Sequence, residues 1–71
     1  MTRDEIASEI EKLNKSQRTA MRRIVPSSLS CLKVEAIGWK TRVRCESVGF
    51  RYTVDLGPRG MVQSKLIREV A

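Results

Sequence analysis

Two thiols, one glycine-flanked arginine and a run of bases without acids are the residues of this 71-residue chain that could do chemistry. Cys31 and Cys45 lie 14 positions apart and the chain has no His, so no imidazole is present to activate a thiol, ligate zinc or shuttle a proton near neutral pH. The acids of the second half are matched by nearby bases and leave no free general base. The chain is therefore read as non-enzymatic, with no metal and no cofactor. Gly57, Pro58, Arg59 and Gly60 can bring backbone and a guanidinium close to a phosphate, although the same four residues also suit a plain turn between two elements. They lack the Lys and Ser/Thr of a P-loop, so nucleotide binding is not implied.

The basic run is the stronger feature. Residues 1 to 11 set Arg3 against Asp4, Glu5, Glu9 and Glu11, a balance of −3. Residues 12 to 25 carry Lys12, Lys15, Arg18, Arg22 and Arg23 with no acid, a balance of +5, and residues 26 to 71 hold eight bases and four acids, +4. An acidic stretch followed by a basic one suits the macrodipole of a single helix, and that accounts for part of the pattern without any function. The remainder attracts phosphates, and the net charge of +6 agrees with it.

These bases need a helix to hold them. Thr2 followed by Glu5 is a capping-box pattern that predicts a helix start, and Ile6, Ile10, Leu13, Ala20, Met21 and Ile24 fall on one apolar stripe. Pro26 ends the segment, with Val25 pushed toward extended geometry. Lys12, Lys15, Arg18, Arg22 and Arg23 form a ridge on the opposite side. Gln17 sits within the apolar stripe, which implies either a break near Asn14 and Lys15 or a buried amide with a specific partner. One bent helix and two short ones both satisfy the pattern.

From Leu29 the period changes to two. Leu32, Val34 and Ala36, then Trp39, Thr41, Val43 and Cys45, then Phe50, Tyr52, Val54 and Leu56 share the inward parity of an antiparallel meander. A turn at Val48 and Gly49 pairs Val43 with Val54 and places Glu46 opposite Arg51 and Arg42 opposite Asp55, two charge matches that a one-residue slip would destroy. A turn at Ile37 and Gly38 pairs Glu35 with Lys40 and sets Lys33 opposite Arg42. Cys31 and Cys45 take opposite faces, so both are read as free thiols of a reducing, cytoplasmic compartment. Lys33, Arg44 and Arg59 remain as the unneutralised bases of this half. For residues 61 to 70, Val62, Leu66 and Val70 repeat at helical spacing, which favours a short C-terminal helix over a fourth strand.

The expected fold is thus α+β: a single small basic domain in which an N-terminal helical segment, residues 1 to 25, packs on an antiparallel meander of three to four strands, residues 29 to 71. The core rings are inward, so a stacking platform for single strands is not expected, and too few helices precede the strands for a helix-turn-helix. No apolar stretch is long enough to span a membrane. Asn14-Lys15-Ser16 matches a glycosylation sequon but has no meaning without a secretory route. The expected function is nucleic-acid binding or regulation through Lys15, Arg18, Arg22 and Arg23, helped by Arg44 and Arg59. The other class is a small protein-binding effector or inhibitor, of bacterial, plasmid or phage type, that docks an acidic patch on a larger cytoplasmic nucleic-acid-processing machine. Outward Ile37 and Cys31 lack a covering layer, which suggests a homodimer.

Overall fold

In the computed structural model, which describes residues 1–70, two helices are followed by four strands: α1 (Arg3–Ile10), α2 (Lys15–Ile24), β1 (Leu29–Ile37), β2 (Lys40–Ser47), β3 (Phe50–Leu56) and β4 (Val62–Glu69). The strands form one antiparallel sheet in the order β1-β2-β3-β4. The helices cover one of its faces, where Leu32, Val34, Val43, Cys45, Tyr52, Val54 and Leu56 are buried together with Leu13 and Met21. The α+β arrangement read from the sequence is the one observed.

The helical segment divides because two capping boxes follow one another. The Thr2 hydroxyl accepts from the Glu5 amide while the Glu5 carboxylate accepts from the Thr2 amide, and Asn14 and Gln17 repeat the exchange at the head of α2. A cap residue requires extended backbone, so Asn14 interrupts the helix even though the apolar stripe continues in phase. Ile10, expected on the core stripe, is turned out by this break and stands half exposed. Gln17 satisfies both readings of its position: it makes the break, and it is a buried amide, 4% exposed, donating to Gly57 O at 3.0 Å and Thr41 Oγ1 at 3.3 Å.

The β2–β3 hairpin has the expected register, with Val43 opposite Val54, Glu46 opposite Arg51 and Arg42 opposite Asp55. The β1–β2 hairpin does not. Its turn residues are Gly38 and Trp39 rather than Ile37 and Gly38, so Glu35 faces Arg42 and Lys33 faces Arg44. The two hairpins use glycine differently: Gly49 holds the second turn position at φ 79°, whereas Gly38 holds the first at φ 61°. A turn with glycine first follows the right-handed strand twist and leaves a negative φ for the next residue, here Trp39. Trp39 is consequently not a core ring. It is 62% exposed, its Cζ3 lies against Gly57, and Lys40 Nζ stands 5.9 Å from the ring centroid. Phe50 shares the inward parity of Tyr52 but extends beyond the helical cover and is half exposed, as is Ala36 at the far end of β1.

Residues 62 to 69 are a fourth strand, not a helix. The Gly57–Gly60 turn returns the chain alongside β3, where pairing satisfies a row of backbone groups that a helix would leave bare. Every residue of β4 is exposed, so neither face selects apolar side chains and the period-two signal that marks the other strands is missing.

Candidate nucleic-acid interface

The basic face of α2 is presented by a dock at the other end of the same side chains. Asn14 Nδ2 donates to Pro58 O at 2.6 Å, Gln17 Nε2 donates to Gly57 O, and Gly60 packs so closely on the first turn of α2 that a Cβ there would lie 2.5 Å from Ser16 O. The loop between β3 and β4 is therefore a seat for α2, and Gly60, at φ 81°, is required both by the turn and by the close approach. With Gln17, Ala20, Met21 and Ile24 toward the sheet, about 100° of rotation per residue carries Lys15, Thr19, Arg22 and Arg23 to the outer side.

The structure sorts the bases expected to form the site. Lys15, Arg22 and Arg23 are exposed, and among the described residues none has a carboxylate within ion-pair distance. Lys12 leaves the ridge to bind Glu9 at 2.7 Å. Arg18 is half buried and turns back on α1, donating from Nε to Ile10 O at 3.3 Å and from Nη2 to Glu11 O at 3.5 Å, where a cation meets the negative end of that helix. Arg59 is exposed in the loop seated on the head of α2. Arg44 belongs to the opposite side of the molecule and is not unneutralised: its Nη1 lies 3.4 Å from Glu35 Oε1, a diagonal contact created by the shifted β1–β2 register. The six residues therefore do not make one surface.

The face of the sheet without helices holds the two charge matches expected for the β2–β3 hairpin. Arg42 binds Asp55 through two bonds of 2.8 and 3.1 Å, and Arg51 binds Glu46 at 2.9 Å. Asp55 is only 4% exposed; the Arg42 guanidinium, with help from the Ser64 hydroxyl, holds its carboxyl below the usual range against the opposing effect of burial. The Lys12 ammonium, and then the Val34 amide, do the same for Glu9. On this sheet face Lys33 stands opposite Arg44 and Arg68 opposite Arg51, and neither Lys33 nor Arg68 has an ion-pair partner among the described residues. Arg68 was missed because its face is defined only once β4 is a strand.

A groove of about 470 Å³ opens between the helices and β1, lined by Ile10, Leu13, Met21 and Leu32 and by Arg18 and Arg22. It exists because the break at Asn14 turns Ile10 away from the core, and no spacing rule in the sequence announces it. The thiols are free; burial pushes the Cys45 thiol up to about 11, with Cys31 adding to the effect. Among the described residues no three His, Cys, Asp or Glu side chains gather as a metal site, and no helix is long and apolar enough to cross a membrane. No family model, curated protein or solved structure matches the chain.

Proposed function

We propose that the chain is a small non-catalytic nucleic-acid-binding protein that meets the phosphate backbone with the outer face of α2. The observation that carries this reading is the group Lys15, Arg22 and Arg23, exposed on about 100° of one helix with no carboxylate among them. Arg59 extends the group from the loop beneath the head of the helix. Because α2 is itself seated by Asn14 and Gln17, its backbone needs no ordering when these bases meet a phosphate row. Lys and Arg on an exposed helix face suit contacts to phosphate oxygens, which carry no sequence information, so the reading is of sequence-tolerant binding. With three or four phosphates neutralised, log affinity for duplex DNA falls with log salt at a slope of about −3 to −4. The test is the pair of changes Lys15→Glu and Arg22→Glu in one chain, measured by fluorescence anisotropy on DNA and RNA at low salt. Binding should weaken on every sequence alike; unchanged binding overturns the assignment.

The groove beside α2 favours a second reading. An apolar anchor on an acidic protein could enter between Ile10 and Met21 while its carboxylates meet Arg18 and Arg22, as an effector or inhibitor of a nucleic-acid-processing enzyme would do. The two free thiols support a cytoplasmic setting for either role. Capture from lysate with and without nuclease separates them: loss of partners on digestion, with a mobility shift on bare nucleic acid, supports the first. A stoichiometric protein retained after nuclease, with no shift even at low salt, supports the second.

A further inference from the structure

The two edges of the sheet are finished differently. On β1, two outward amides in the middle of the strand are occupied: Val34 N donates to Glu9 Oε2 at 3.2 Å and Leu32 N to Met1 Sδ at 3.4 Å, so the N-terminal segment and α1 cover that stretch of the edge. Among the described residues β4 has no such cover. Val70 N donates to Gly49 O, and with no bulge between Ser64 and Glu69 the alternation of a strand assigns the amides of Arg68, Leu66 and Ser64 to β3 and those of Lys65, Ile67 and Glu69 to the open edge. An open edge of this length, without proline and carrying exposed Leu66 and Ile67, invites another strand.

We infer that a second copy of this chain pairs with β4 as an antiparallel strand, with Ile67 on the two-fold axis, to make a continuous eight-stranded sheet. A two-fold perpendicular to the sheet keeps the helices of both copies on one face, so only residues of like parity can face each other. That leaves few registers. Placing Lys65 or Arg68 on the axis sets a charge against its own copy; placing Leu66 there sets Lys65 opposite Ile67 and matches no charge. With Ile67 on the axis, Lys65 faces Glu69 of the second copy, and its symmetry mate repeats the match. Ile67 faces Ile67 of the second copy beside the buried Tyr52, and Leu66 lies along the stem of Arg68 of the second copy. The outward amides of Lys65, Ile67 and Glu69 then bond across the seam in this register. Lys65, which would deter a foreign apolar edge, becomes a match for this chain's own edge. This inference is independent of the role of α2.

Sedimentation equilibrium from micromolar to hundreds of micromolar, with amide-resolved hydrogen exchange on the unaltered chain, tests it. A monomer–dimer equilibrium is expected, in which exchange at Lys65, Ile67 and Glu69 slows as concentration rises while Ser64, Leu66 and Arg68 change little. Lys65→Glu alone and Glu69→Lys alone each lose both symmetry-related matches and should weaken the dimer about two- to thirtyfold, and the two together should restore it. A monomer at every concentration overturns the inference. So does a dimer whose exchange at these three amides is independent of concentration, or one that the single charge changes leave unaltered.

Discussion

Replacing Gln17 by Met keeps most of the side-chain volume and removes its polar group, which isolates what the buried amide contributes. Oε1 accepts from Asn14 N at 3.0 Å and Nε2 donates to Gly57 O at 3.0 Å, with a longer contact to Thr41. Two good hydrogen bonds at roughly 0.5–1.5 kcal/mol each give about 1–3 kcal/mol. Gly57 O keeps the amide of Gly60 as a donor and Asn14 N is near solvent, so neither becomes a fully orphaned group and the loss stays near the middle of that range. Burying a thioether returns up to about 1 kcal/mol. The net expectation is a destabilisation of about 1–2 kcal/mol, or roughly 4–16 °C in Tm for a domain of this size, read by urea and thermal unfolding followed by circular dichroism. Gln17→Glu keeps the acceptor for Asn14 but sets a carboxylate against the Gly57 carbonyl, and should cost more than Met. A Gln17→Met chain as stable as the parent would refute the claim that this amide seats α2 on the β3–β4 loop.

Further expectations concern the turns, the thiols and the carboxylates. Gly49→Ala has open space around its Cβ and should lose only the roughly 1 kcal/mol of a positive φ, whereas Gly60→Ala must also displace Ser16 and should lose at least twice as much in denaturant titrations; equal losses would remove the close approach from the account. Cys31 should react with a thiol reagent at pH 8 in the folded chain while Cys45, buried and raised to about 11, reacts only on unfolding, so two equivalents consumed rapidly under native conditions would contradict its burial. Asp55, Glu9 and Glu5 are all held below the ordinary carboxylate range, so the stability they contribute is present above about pH 4 and is lost as pH falls through their native values. Asp55→Asn should flatten that acid-side decline in the urea midpoint; an unchanged decline would show that the Arg42 pair does not carry it.

How much of this was readable in advance depended on whether two constraints agreed. At the β2–β3 hairpin, apolar alternation and two opposite-charge matches selected the same register, and the structure has it. At the β1–β2 hairpin, alternation around Gly38 allowed glycine in either turn position; charge could not arbitrate because Lys33 faces a base in both registers. The second capping box at Asn14 and Gln17 was present as a pattern, but an unbroken apolar stripe obscured it, since two helices in phase look like one. β4 was not legible as a strand: a segment exposed on both faces carries no burial signal, and Val62, Leu66 and Val70 fell by chance at helical spacing. The basic residues of the candidate site were visible as types, while their division between two sides of the molecule required the sheet. That Arg18 serves α1 depended on the helix break at Asn14, whose geometry sequence spacing does not describe.

If β4 pairs with a second copy as proposed, the cover that Met1 and Glu9 place on β1 also sets how far assembly can proceed. A sheet with one bare edge has a valence of one, and pairing through that edge terminates at two copies. If α1 detaches, as cleavage or loss of Glu9 would favour, Leu32 and Val34 present a second bare edge, and the valence becomes two. Successive copies can then add at both sides without closing, and growth becomes a ribbon rather than a finite particle. The first eleven residues, which contribute no buried side chain, would then act as a chain terminator for polymerisation.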